Sequence, residues 1–282
     1  MTLAIFGTMT VLLLLGFPMM ITLIAGSLIG FVALFGGFGQ LDSMVQQILA
    51  GIRPASLIAV PMFIFAADIM TRGQSATRLI DLVMAFVGHF KGGLAIATAG
   101  ACTMFGAVSG STQATVVAVG GPLRPRMLKS GYNDSFVLAL IVNASDIAFL
   151  IPPSIGMIIY GVVSGTSISE LFIAGIGPGL LILLLFSIYS HVYARRNGVP
   201  VEPKSTWAER GTALRRALWP LGFPVIIIGG IYGGFFSPTE AAAACVLYAL
   251  FLEMAVFREM SLKQLYATAK STGLITAVVF IL

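Results

Sequence analysis

Apolar residues in this sequence come in long runs rather than as one face of alternating segments. Leu3 to Phe38 is apolar almost throughout. Only Gly16-Phe17-Pro18 marks its middle, which leaves open one long kinked helix or two short spans. Pro54 to Met70 is a second run and closes on Thr71-Arg72-Gly73. Ser75 to Phe90 sets Arg78, Asp81 and His89 among apolar residues, the pattern of an amphipathic helix lying along a membrane surface. Gly92 to Gly121 is apolar and rich in small residues. Asp134 to Ser164 is long but interrupted by Ile151-Pro152-Pro153-Ser154, and Leu171 to Tyr193 is unbroken. Leu218 to Phe236 and Thr239 to Phe257 follow, and Gly273 to Leu282 is apolar again. Runs of about 20 apolar residues are the length that crosses a bilayer. The pattern predicts an all-α integral membrane protein with many spans.

The charges between the runs set the expected topology. Lys91 precedes Gly92 to Gly121, and Arg124, Arg126 and Lys129 follow it. A single crossing would put basic clusters on opposite faces. A re-entrant hairpin keeps them on one face and turns near Val108 to Thr112. No Lys or Arg lies between Lys129 and Arg195, whereas Arg195 to Arg216 carries six basic residues and two Glu, the mark of a cytoplasmic loop. The turn Phe236-Ser237-Pro238-Thr239-Glu240 has no basic residue and is expected on the outer face. Four stretches result: residues 1–91 as N-terminal membrane helices and an interfacial segment, 92–194 as hairpin, broken helix and span, 195–217 as a basic loop, and 218–282 as the start of a second repeat. The apolar run at Leu282 stops without a polar tail, so the chain reads as part of a longer protein.

Composition narrows the function classes. Hydrophobic residues make up 58% and charged residues 10% of the chain, against roughly 25% charged in soluble domains. The net charge of +5 is gathered in short patches between apolar runs, so it points to loops beside a lipid bilayer and not to nucleic acid. Cys102 and Cys245 lie within apolar segments and read as small buried hydrophobes. With only two His, far apart, the sequence offers neither a metal-ligand cluster nor a nucleophile–His pair, which argues against an intramembrane hydrolase or any other enzyme. No basic residue precedes Arg53, so the first run is expected to be retained in the membrane rather than cleaved as a secretory signal.

Three stretches carry polar groups at expected membrane depth. In Gly106 to Thr115, Gly110 between Ser109 and Ser111 permits a tight turn that exposes carbonyls and hydroxyls, hard ligands suited to Na⁺. Helix N-termini beside it would offer N–H groups to a carboxylate. Close packing of small residues explains the same pattern. In Asn143-Ala144-Ser145-Asp146 with Ile151 to Ser154, adjacent prolines break the helix and free carbonyls, the construction with which secondary transporters hold ions and substrates; a simple kink is the alternative. At Gly229 to Glu240, Ser237 or Thr239 can cap a helix that Pro238 begins, with Glu240 in its first turn. The candidate Na⁺ ligands are Ser109, Gly110, Asn143, Ser145, Asp146 and Pro152. The candidate substrate contacts are Ser111, Thr112, Thr115 and Ser154.

At these stretches, and at Glu170 to Leu180 (ELFIAGIGPGL), the sequence resembles the large membrane subunit of tripartite ATP-independent periplasmic (TRAP) transporters. The matching runs include Gly106 to Met127 around Ser109-Gly110-Ser111-Thr112, Leu150 to Gly161 (LIPPSIGMIIYG) and Gly229 to Ala243 (GGIYGGFFSPTEAAA). The resemblance implies an elevator-type secondary importer in the bacterial inner membrane, with re-entrant hairpins and broken helices. It implies uptake of an organic acid, a dicarboxylate or sugar acid, with Na⁺ as coupling ion and no other cofactor. A periplasmic substrate-binding protein and a small membrane subunit are the implied partners. It also implies that Ser109 to Ser111 form the tip of the first hairpin and Pro152 to Ser154 the first break. A channel-like or scaffolding membrane subunit without coupling is the alternative.

Overall fold

The computed structural model describes residues 1–37 and 41–281. Among the described residues there are thirteen α-helices and no strand, so the expected all-α class holds. Four helical stretches are long and apolar enough to cross a membrane: Ala55–Arg72, Ile168–Arg196, Trp207–Tyr232 and Pro238–Val256. Contacts divide the chain into two units, Met1–Pro54 with Gly273–Leu282, and Ala55–Thr272.

In the first unit the run from Leu3 resolves into two helices, α1 (Thr2–Leu14) and α2 (Met19–Phe35); Phe38, where the run ends, lies outside the described residues. Gly16 takes φ +81°, a left-handed conformation that costs glycine little. Pro18, without an N–H, stands at the cap before α2. The helices run antiparallel, with Gly26 against Met9 and Gly30 against Ile5. A third helix, α3 (Leu41–Gly51), occupies residues the hydropathy reading leaves unassigned.

The second unit begins with a 3-10 turn at Ala55–Ile58 and α4 (Ala59–Arg72). α5 (Ser75–Val87) is amphipathic as expected, but protein covers its apolar face: Leu79, Ile80, Leu82 and Met84 are buried where α5 packs on α6 (Gly93–Ser109) and α11 (Trp207–Tyr232). α7 (Thr112–Lys129), α8 (Asp134–Ser145), α9 (Ile155–Ser164) and α10 (Ile168–Arg196) complete the centre of the unit. The stretch 195–217, read as a loop, is helical from Trp207 onward. A capping box, Thr206 with Glu209, fixes the start of α11 inside the basic segment. α12 (Pro238–Leu250) opens with the same device, Ser237 with Glu240, and Pro238 in its first turn. It continues into a π-helical turn, Phe251–Val256, where the buried Glu253 accepts a 2.7 Å hydrogen bond from the Ser75 hydroxyl at the start of α5. α13 (Leu262–Ile281) is the last helix.

One end of this unit gathers the basic segments. His191 Nδ1 donates to the Lys91 carbonyl at 2.9 Å, and Arg126 pairs with Glu202 at 2.8 Å. Arg124 holds Asp134 through two 3.0 Å hydrogen bonds. The two feet of α6 and α7 therefore stand together, beside the C-terminal end of α10. That is the arrangement a re-entrant hairpin requires and a single crossing forbids.

Candidate functional site

The site grows from two interruptions of helical backbone. The first is the turn between α6 and α7. Gly110 closes α6 in the left-handed region at φ +59°, its N–H donating to the Gly106 carbonyl at 2.8 Å. Ser111 then takes an extended conformation, and its Oγ accepts from the Ala114 N–H as the N-cap of α7. From Thr112 to Leu123, before the first arginine, α7 has twelve residues, about 18 Å of helix. With its arginines at the interface of a hydrocarbon core about 30 Å thick, the turn lies at membrane depth and short of the far surface.

The second interruption follows α8. A 3-10 turn, Asp146–Phe149, leads into the non-helical stretch 150–154, with a cis bond between Pro152 and Pro153. Helix resumes at Ile155, where Ser154 is the N-cap, its Oγ accepting from the Met157 N–H at 3.2 Å. The prolines carry no N–H, and the carbonyls of Ile151, Pro152 and Pro153 accept no hydrogen bond among the described residues.

The two interruptions face one another. A Cβ at Gly110 would collide with the Pro153 carbonyl oxygen, and the Ile155 N–H reaches the Gly110 carbonyl at 3.5 Å. Below the tip, a Cβ at Gly106 would stand 2.9 Å from the Cα of Ala148. From the other side α10 presses Gly175 onto the Leu150 carbonyl and Gly179 onto Ile151. Glycine at these positions is what lets backbone approach backbone. The sequence reading quotes Gly106, Gly175 and Gly179 within its motifs but gives them no role; the four-residue spacing of the last two is the signal that could have found one.

The hydroxyls at the tip form a closed set. Ser109 and Thr115, both fully buried, hold their oxygens 3.0 Å apart. Thr115 Oγ1 also donates to the Ser111 carbonyl at 2.8 Å, and the Ser111 N–H donates to Ser109 Oγ at 3.3 Å. Thr112 Oγ1 is buried with no hydrogen-bond partner. Two helix N-termini, of α7 and α9, converge on this place with partial positive charge, while the end of α6 and the broken segment bring carbonyls. Such an arrangement suits a carboxylate against the N–H groups and a cation against the carbonyls.

Of the residues singled out in the sequence, the structure brings together Ser109, Gly110, Ser111, Thr112, Thr115 and Ser154, with Pro152 in the broken segment beside Pro153. It does not bring Asn143, Ser145 and Asp146 into the same set. The Asn143 amide donates to Ala139 O at 2.7 Å on the exposed side of α8. The Ser145 hydroxyl is buried but turns back to Ile141 O at 2.7 Å, near Cys102 Sγ. Asp146 is exposed, one turn before the break. α8 stays helical through Ser145, so these polar groups keep their own helical partners.

A family match runs over residues 6–282: the DctM component of the tripartite ATP-independent periplasmic transporters. The chain belongs to that family. It is 79% identical over all 282 residues to the ectoine/5-hydroxyectoine TRAP transporter large permease protein of Ruegeria pomeroyi, and 74% to the ectoine TRAP transporter large permease protein of Halomonas elongata. In each case it spans 66% of the relative's length. It is also 43% identical over 221 residues, 78% of this chain, to the C4-dicarboxylate TRAP transporter large permease protein of Pseudomonas aeruginosa, of which it covers 52%. These relatives are named as transporter permeases, none as an enzyme. TRAP large permeases are inner-membrane proteins, and the apolar spans of this chain place it among them.

Proposed function

We propose that this TRAP permease imports ectoine or 5-hydroxyectoine, coupled to Na⁺, and that the hairpin tip facing the broken helix is one half of its transport site. The observation that carries this reading is the contact of Gly110 with Pro153. It sets the N-termini of α7 and α9 and the free carbonyls of residues 151–153 around one point. Na⁺ would take carbonyl oxygens of Ser109, Gly110 and Pro152. The substrate carboxylate would meet the N–H groups behind Ser111 and Ser154, with the hydroxyls of Thr112 and Thr115 beside them.

The substrate assignment replaces the dicarboxylate or sugar acid expected from the sequence. Its support is the substrate for which the two relatives at 79% and 74% identity are named. Ectoine carries one carboxylate and one delocalised amidinium cation. A pair of helix N-termini suits its single carboxylate, and carbonyl ends suit its cationic edge. A small membrane subunit and a periplasmic binding protein complete the proposed system. An elevator movement would carry this half-site as a packed body, because glycine contacts hold the tip, the break and α10 together.

The test is uptake by proteoliposomes holding the transporter that carries this sequence, its small subunit and ectoine-loaded binding protein. Accumulation above equilibrium under an inward Na⁺ gradient, undiminished by excess succinate, is expected. Uptake that only equilibrates would mark a channel, and accumulation that survives replacement of Na⁺ by K⁺ would remove the coupling ion from the scheme.

A further inference from the structure

Arg210 sits at the basic end of the second unit, far along the chain from the hairpin tip. It is 8% exposed, and its Nε donates to the Ala85 carbonyl at 3.1 Å, at the C-terminal end of α5. A cation there complements the helix dipole. Yet that bond uses one of the five N–H groups a guanidinium offers. Nη2 is buried with no partner, and neither ion pair among the described residues includes Arg210. A buried cation without a counter-charge is unfavourable.

Four residues beyond Ala85 a second buried polar atom is also unpartnered. His89 Nδ1 is buried with nothing to bond. Burial, together with the charges of Arg210 and Lys204, holds the His89 imidazole below its ordinary pKa. Neither Arg210 nor His89 has an anionic partner among the described residues. The rings of Trp207 and Phe86 flank the guanidinium, at 5.0 and 5.6 Å.

The surface beside Arg210 says where an anion comes from. Trp207, Leu214, Leu218 and Val225 stand at intervals of 7, 4 and 7 residues, one stripe along α11, and their exposures are 81%, 44%, 59% and 68%. An exposed apolar side of α11 thus runs up to Trp207, and exposed tryptophan is at home at the headgroup level. We propose that Arg210, with His89, binds the phosphate of an anionic phospholipid headgroup whose acyl chains lie along this stripe. A phosphate offers several oxygens to the guanidinium fork and the imidazole at once. Free phosphate offers the same oxygens; the apolar stripe favours the lipid.

The test uses the transporter in nanodiscs containing a minor fraction of lipid brominated on its acyl chains, as phosphatidylglycerol or as phosphatidylcholine. The Trp207 signal is the emission lost in Trp207→Phe. We expect phosphatidylglycerol to quench that signal with about fivefold higher apparent affinity, the weight of one basic residue beside an anionic headgroup. The preference should fall in Arg210→Gln and, with the α5 contact intact, in His89→Gln. Equal quenching by the two lipids in the wild type overturns the proposal, as does a preference that survives in both variants. A preference abolished by inorganic phosphate in the buffer would assign the site to a soluble anion and refute the lipid.

Discussion

α1–α2 and α6–α7 are both apolar helical hairpins, and hydropathy alone hardly separates them. Each turns on a left-handed glycine, Gly16 at φ +81° and Gly110 at φ +59°. What lies around the turn differs. A Cβ at Gly16 would meet nothing within 4 Å, whereas Gly110 lies against the Pro153 carbonyl. α1 buries none of its residues; α6 buries most of its length, including Thr98, Thr103 and Ser109. A hairpin is thus a cheap way to fold an apolar run, and the hairpin that could do chemistry is distinguished by what its tip touches.

The largest separation between the two hairpins should come at their turns. Gly110→Val strains a positive φ and drives a branched side chain into the opposing carbonyl. Initial uptake by membranes with equal amounts of inserted protein should fall to background. Gly16→Ala meets the same backbone strain, about 1 kcal/mol, in open space, and uptake should stay near wild type. Equal damage from the two changes would reduce the Gly110 contact to an ordinary turn.

One step down each helix the contrast should persist. Gly106→Leu forces α6 away from Ala148, where a Cβ already stands at 2.9 Å, and should cost about tenfold or more in rate, in line with overpacking of about 1–3 kcal/mol. Gly7→Leu on α1, with nothing within 4 Å, should be silent. Uptake rates and thermal unfolding of the two variants, measured side by side, check the pair.

The hydroxyls give finer effects. Ser111→Ala removes the N-cap of α7, typically about 1 kcal/mol, and should raise the Na⁺ concentration for half-maximal uptake several-fold. An unchanged Na⁺ dependence would move the ion site elsewhere. Thr112→Val is nearly isosteric and deletes a buried hydroxyl with no partner. Such a deletion is neutral or stabilising where nothing binds. On the proposed reading melting is unchanged while apparent KM for ectoine-loaded binding protein rises; a variant that is merely more stable and transports normally would exclude Thr112 from the site.

The hairpin and the break were readable because each leaves a mark that local chemistry dictates. Lys91 and Arg124 on one side demand a return path, and Pro152-Pro153 removes two N–H groups that no helix can spare. The capping box at Thr206 and Glu209 was equally readable, and it shows why charge density alone misplaces a boundary: charged residues solvate a helix as readily as a loop. Asn143 and Ser145 were grouped with the break by nearness in sequence, whereas α8 keeps its phase up to Ser145 and turns their polar atoms back on Ala139 and Ile141. The tie from Arg210 to Ala85 spans 125 residues, and no local pattern announces it.

The linked hydroxyls of Ser109 and Thr115 have a consequence for the unloaded carrier. In that pair either oxygen can be the donor, and each hydroxyl also lies within reach of the Ser111 carbonyl, at 3.2 and 2.8 Å, so two protons are shared among three contacts. A rigid ring of carbonyls would face its own repulsion once a cation departs. Hydroxyls rotate: beside the carbonyls proposed for Na⁺, their protons can turn away while the ion is bound and back toward the vacated place after it leaves. On the proposed reading the repulsion in the unloaded tip is therefore relieved by a hydroxyl rotation instead of a backbone rearrangement. The return half of the transport cycle would then start from a shape close to that of the loaded half.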